Sequence, residues 1–348
     1  MSLELNRQTG DFKSSGEFLV SARKFFNGSR EDNRIVSLQK AAQAEGVDST
    51  GGVLVPEQYS GEVFETALEG QIVRPRATIQ PMLRETLNIP RLVDSDRSSN
   101  IYGGITAFWA EEGSDLFSGV SAPKIGNLML SHKKLTMTAF ASNEIEDDAV
   151  AFGAFFRQAF GKALRFIEDD VFLWGNGAGQ PLGVMNSGAL KTVTRNANGH
   201  VDVMDLALMA SVLLPDSWNR AVWLVNQSVL YEWMTLNAGA SDVASVLDIA
   251  SMTCMGLPII VTEHCAAMGT SGDIILADFS HYVIAGRDMS IASSRDATYS
   301  SGTYGWFQGQ SLWRVTLHVD GQPILTAPIT PKRGGTTVSP FVALTTAS

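Results

Sequence analysis

Trp174-Gly175-Asn176-Gly177-Ala178-Gly179-Gln180-Pro181-Leu182-Gly183-Val184 is the stretch on which the reading of this chain turns. Four glycines and a proline within it make a sharp, irregular bend. A dinucleotide loop needs G-x-G-x-x-G between a strand and a following helix. Here Gln180 stands where the third glycine belongs, and the helical pattern comes first. Phe152, Phe156, Phe160, Ala163, Ile167, Val171 and Trp174 recur at spacings of three and four, the mark of one helical face. Gly175 ends the run, as glycine often does just past a helix. The expectation is a long, aromatic-faced helix lying on a sheet and leading into a turn that is no phosphate site.

Downstream, the spacing predicts a helix from Val203 to Leu214, stopped by Pro215. Ala221–Val225 reads as a buried strand, followed by a helix capped at Asn226. Short strands fit Pro258–Thr262, Ile274–Ala277 and Tyr282–Ala285. Val315, Leu317 and Val319 alternate with Arg314, Thr316 and His318, and Asp320-Gly321 reads as a turn. Upstream, Leu87–Val93 goes out as one strand of a long excursion, and the alternation of Leu135, Met137, Ala139 and Ala141 reads as the return. An irregular insert of this length is rarely idle in a compact domain. Before it, Pro56 opens a helix with Tyr59, Val63 and Ala67 on one face. Ser14-Ser15-Gly16-Glu17 is a capping box ahead of Phe18, Ala22 and Phe25. That short helix has too little mass to fold alone and reads as an arm that docks elsewhere. Helices and strands interleave without a βαβ repeat, so the fold class is α+β.

The chain has 348 residues, a formal net charge of −10, 45% hydrophobic and 18% charged residues. Apolar material is ample for a core, and the sparse charge suits a surface buried against neighbours. The acidic balance argues against a surface built to neutralise phosphates. Two cysteines, Cys254 and Cys265, are too few for a disulfide framework or a cysteine-rich zinc site. A reducing, cytoplasmic place of synthesis follows. The N-terminus lacks a signal-type apolar core, and the most apolar helical run is too short to span a bilayer, so no membrane association is expected.

No constellation of catalytic type stands out. The five histidines, His132, His200, His264, His281 and His318, do not pair at ligand spacing. Glu263-His264-Cys265 is the only chemical-looking cluster, and it reads as a strand end with a packed cysteine. Methionines in the second half read as adaptable core filling. No catalytic residue, cofactor or metal site is assigned. Glu168, Asp169 and Asp170 near the end of the long helix read as a solvated or partner-facing acidic edge, mildly unfavourable to the helix dipole and calling for a basic partner. Glu111, Glu112 and Asp115 lie at the tip of the insert, and Arg74, Arg76, Arg84 and Arg91 precede it. Pairing of Arg84 with Glu112 of another copy is one expectation. Candidate subunit-interface residues are accordingly Phe18, Phe25, Arg84, Arg91, Glu111, Glu112, Asp115, Glu168 and Asp169.

The glycine-rich turn after a long helix resembles the loop after the spine helix in major capsid proteins of tailed double-stranded DNA bacteriophages, the Hong Kong phage capsid fold. Ser49-Thr50-Gly51-Gly52-Val53-Leu54-Val55-Pro56 resembles the Gly-Gly-apolar-apolar-Val-Pro stretch that opens the core domain there. Trp313-Arg314-Val315-Thr316-Leu317-His318-Val319-Asp320-Gly321 resembles its closing strand and turn. The order of parts, over roughly Ser49 to Pro331, is more specific than any single motif. The resemblance implies an N-terminal arm (1–48), the start of a peripheral domain (49–86) and an extended loop over a neighbouring subunit (87–136). It further implies the peripheral domain with its spine helix (137–194), an axial domain meeting its copies around the capsomer axis (195–291), and return strands with a C-terminal tail (292–348).

By the same likeness the chain is a structural major capsid protein that self-assembles through hexamers and pentamers into an icosahedral shell. Its partners would be many copies of itself, enclosed double-stranded DNA bound without sequence preference, and portal, scaffolding and decoration proteins as candidates. Its place would be the virion, after synthesis in the host bacterial cytoplasm. Some relatives cross-link through an extended-loop lysine and a neighbour's asparagine. Leu128 stands where that lysine would align, and the closing region offers Gln308 and Gln310 without a clear Asn/Glu pair, so no cross-linking is expected. The short arm also leaves little room for an internal scaffold. An encapsulin-type compartment is the alternative within the fold, and an enzyme the alternative outside it.

Overall fold

A short strand that is apolar at every position needs cover on both faces of its sheet, and this requirement organises the molecule. The computed structural model describes residues 69–98, 102–107, 109, 111–113, 122–142, 152–197, 199–239, 247–248, 251–287, 289–294 and 309–347, all within one unit spanning 61–348. The chain runs through β1 (Thr78–Pro81), β2 (Thr86–Leu92), β3 (Ile125–Ser131), β4 (Lys133–Ser142) and the long helix α1 (Phe152–Trp174). After the glycine-rich turn come β5 (Lys191–Thr194), α2 (Val203–Ser211), β6 (Val222–Val225), α3 (Gln227–Gly239), β7 (Leu247–Asp248) and β8 (Thr253–Cys254). Then follow β9 (Leu257–Val261), β10 (Ile274–Ala277), β11 (Tyr282–Gly286), β12 (Ser290–Ser294), β13 (Gln310–Pro323) and β14 (Phe341–Thr345).

A seven-stranded sheet has the order β5-β14-β10-β6-β9-β8-β7. Side chains alternate between its faces. Val222, Leu224, Ile275, Ala277, Phe341 and Ala343 enter one core with Phe160, Leu164, Phe172 and Leu173 of α1. Their neighbours Trp223, Val225, Ile274, Leu276, Val342 and Leu344 enter a second core with Leu206 and Met209 of α2 and Val229 and Trp233 of α3. Parallel pairs (β5–β14, β6–β9) mix with antiparallel ones, which makes the class α+β.

The second sheet is built on β13. It pairs with β4 along one edge, from Gln310 to Val319, and with β12 and β11 along the other. β1 joins β11 in parallel. Val315, Leu317 and Val319 face the core beneath α1. β2 and β3 form a separate antiparallel hairpin, Thr86↔Ser131 to Leu92↔Ile125. Its base packs through Leu128 and Leu130 on Met82, Val283 and Ala285.

Several expectations change in detail. The long helix has the anticipated bounds, but its buried face runs through Phe160, Leu164, Glu168, Asp169, Phe172 and Leu173, leaving Ala163, Ile167 and Val171 half-buried. The side chains of residues 152–157 lie outside the described set, as do the 49–56 stretch and the helix expected from Pro56. α2 stops at Ser211, where a short 3₁₀ turn at Pro215–Asn219 takes over. The return strand of the excursion is β3; β4 belongs to the sheet. Asp320-Gly321 is no turn, since β13 continues through it to Pro323. Asp320 can sit in mid-strand because its buried carboxylate accepts from the backbone N–H of Ser131 and Gly321, both at 2.8 Å.

Candidate functional site

The carboxylates at the end of α1 organise the joint between that helix and the incoming chain. Asp169, 1% exposed, accepts from the backbone N–H of Ile72 at 2.7 Å and of Val73 at 3.1 Å. Glu168, 4% exposed, accepts from the Arg74 guanidinium and from Gln71 Nε2 at 3.3 Å. Burial raises both carboxyls above the usual carboxylate range, against the pull of these donors. The outward acidic edge expected at Glu168 and Asp169 is therefore corrected. The basic partner exists, but Arg74 of the same chain supplies it, and neither acid is available to a neighbour. Only Asp170 of the trio is exposed. Glu69 adds a second clamp, accepting from Thr262 Oγ1 at 2.6 Å and Glu263 N at 2.9 Å.

The glycine-rich turn folds back on the helix end. Gly183 N donates to Gly175 O at 2.8 Å, and Asn176 bridges Leu182. A Cβ on Gly175 would stand 2.2 Å from Pro181 O, and one on Gly183 2.5 Å from Gly175 N, so two backbones meet where no side chain fits. Lys133 Nζ donates to Gln180 O at 2.8 Å and Gly177 O at 3.1 Å, while pairing with Asp320 at 3.0 Å. Tyr282 Oη donates to Leu182 O at 2.8 Å. This polar hub welds turn, β4, β11 and β13 into one body. It works as a joint, with no open anion-binding nest.

The hairpin is tied to the segment that follows β13. Arg91 Nη1 donates to Ile324 O at 2.6 Å, and Asp96 bridges Thr330. Arg91 is thus half-buried and engaged internally. Arg76 Nη1 donates to Ile72 O at 2.8 Å. Arg84 remains exposed at the hairpin base beside Leu83. Glu111 and Glu112 are exposed at the tip. Phe18, Phe25 and Asp115 lie outside the described residues.

Elsewhere His264 and both cysteines are packed into the fold. His264 packs on the Phe166 ring at 4.3 Å, and its carbonyl accepts from Trp174 Nε1 at 2.7 Å. Cys265 and Cys254 are buried, and burial pushes the Cys254 thiol up to about 12. Among the described residues no group of three His, Cys, Asp or Glu is placed to hold a metal, and no helix is long and apolar enough to cross a membrane. Three features escaped the sequence: the Lys133–Asp320 hub, the fully buried Arg195–Asp273 pair, and the fully exposed Trp109 beside the tip acids. Trp109 carried a usable signal, being an aromatic residue among the polar, turn-rich residues of the insert.

Comparison with known proteins bears directly on this arrangement. The sequence profile described as the phage capsid family matches residues 51–333. No curated protein sequence matches significantly. Among solved structures the fold is similar to the capsid of the native GTA particle (TM-score 0.64, 18% identity, covering 88% of this chain and 99% of that one). It is also similar to Mycobacterium phage Adephagia (0.58, 17%, 85% and 96%) and Microbacterium phage Oxtober96 (0.59, 15%, 84% and 96%). With the profile matched across most of its length and the fold shared, the chain belongs to the phage capsid family, as a structural shell protein and not an enzyme.

Proposed function

We propose that this chain assembles through hexamers and pentamers into an icosahedral shell that encloses double-stranded DNA. The observation that carries the reading is the family match over residues 51–333 on a fold with a helix-and-sheet body and a separate two-stranded hairpin. One chain closing a shell meets neighbours at slightly different angles. A body with a separate hairpin spreads adhesion over several neighbours, so modest contacts sum through multivalency. The formal charge of −10 lets the inner wall avoid gripping a polyanion. Residues 1–48 are read as an arm, 87–136 as the extended loop and 195–291 as the axial domain. Portal, scaffolding and decoration proteins are the further partners this role admits, and the virion is its place after synthesis in the bacterial cytoplasm. Negative-stain microscopy of the purified protein, alone and co-expressed with adjacent scaffold candidates, tests this. Uniform hollow particles or capsomer rings are expected; a monomer or small oligomer under every condition would refute it.

A further inference from the structure

A groove of about 240 Å³ lies between α1, the glycine-rich turn and β4. Leu135, Val171, Phe172, Pro181 and Val319 supply its apolar lining. Its size suits one large side chain, since pockets for drug-sized ligands run to about 300–1,000 Å³. The rim is cationic. Lys134 lines it, and Arg165, outside the lining, lies one turn along α1 from the lining Glu168, on which its charge also acts. Both are exposed and make no ion pair among the described residues. The other charges there cancel: Lys133 is held by Asp320, and Glu168 by Arg74. Gln180, which lines the groove, donates its amide to Asn176 Oδ1 at 3.1 Å, and its side-chain oxygen keeps its capacity to accept.

The complementary object is on the same sequence. Trp109 is 104% exposed, an orientation that a bulky indole rarely keeps unless something covers it. Glu112, three residues on, is exposed as well. β2 and the residues after it are tied to the segment following β13 through Arg91, Asp96 and Arg97, and Trp109 lies beyond the last of these ties. We propose that Trp109 of one copy seats in this groove of a second copy, with Glu112 facing Lys134 and Arg165. An aromatic anchor in a desolvated pocket, ringed by complementary charge, is the usual form of an interface hot spot. The indole N–H meets its need for an acceptor at Gln180. The proposal rests on the shell reading and names where the extended loop lands. A second mixed-lined crevice beside Arg91 and Gln322 suits the tip less well, because its arginine is already engaged by Ile324.

The test uses two full-length single variants of different mass, Ala107→Cys beside the anchor and Thr136→Cys beside the groove, both at exposed positions that keep Trp109 and Lys134, co-assembled and treated with a short bismaleimide. Native Cys254 and Cys265 are buried and stay silent. A mixed dimer on a denaturing gel, absent when either variant assembles alone, is expected. Particles that form normally while the mixture stays monomeric would overturn the docking and leave the shell reading intact. Failure of the unmodified chain to form particles under any condition would overturn both. As a second readout, Glu112→Lys should cut particle yield at least tenfold, and Lys134→Glu should restore it. Restoration by Arg84→Glu instead would place the tip at the hairpin base and overturn the groove assignment.

Discussion

Asp169 shows how much one side chain can hold. It satisfies two buried backbone N–H groups, and stranding both should cost roughly 3 kcal/mol. Asp169→Ala is expected to lose about that much in denaturant unfolding. Asp169→Asn keeps the shape but can satisfy only one of the two N–H groups, because each uses a different carboxylate oxygen and the amide NH2 cannot accept, so it should recover at most part of the loss. A near-neutral Asp169→Asn would show that the second of these hydrogen bonds contributes little. His132 offers a second test. Neither ring nitrogen has a partner among the described residues, and the ring meets His318 at 5.6 Å. Burial, then Arg287 and His318, push its pKa down, against the weaker upward pull of Glu85 and Asp320. The folded state therefore binds fewer protons, and stability falls as pH drops below the unfolded value of about 6.5. His132→Phe should flatten part of the decline in melting temperature between pH 7.5 and 5.5. Some slope should survive, because His281 is lowered too. An unchanged slope would remove His132 from the account. The carboxylates at 168 and 169 were visible as residue types. Their burial was not, because their partners at 71–74 lie more than ninety residues away.

Among the elements, the glycine-rich turn was the most legible, since its glycines have steric causes that act locally. Gly183→Ala would bring a Cβ to within 2.6 Å of Leu173 backbone atoms, which cannot rotate away. A loss of at least about 2 kcal/mol, or outright misfolding, is expected in thermal melts. A near-neutral result would mean that the turn can open from the helix end. The strands were legible in their alternation but not in their pairing. β3 and β4 follow one another with only His132 between them, and a period of two does not say which partner each takes. The buried Arg195–Asp273 pair was likewise hidden by sequence separation. The same logic explains Asp320: its turn-like sequence is overridden by Lys133 and Ser131, contacts no local rule contains.

At the scale of the whole molecule, folding and assembly should be separable, because they use different parts of the hairpin. The base is body: Leu128 and Leu130 are buried against Val283 and Ala285, Arg91 bonds Ile324, and Arg97 N donates to Thr330 O at 3.0 Å. Past that point the chain returns on itself, with Lys124 N donating to Gly103 O at 2.7 Å. Residues 105–121 can therefore be replaced by two glycines joining Gly104 to Ala122 without disturbing a described sheet pair. Trp109, Glu111, Glu112 and Asp115 go with them. Surface changes remote from core and caps usually move stability by no more than about 0.5 kcal/mol. The shortened chain should thus keep its circular dichroism spectrum and melt within a few degrees of the full one. Its assembly should fail, leaving monomers or loose capsomers in sedimentation and microscopy where the full chain makes shells. Loss of the cooperative melt would show that the tip supports the fold itself, and normal shells would show that adhesion between copies lies on the body alone.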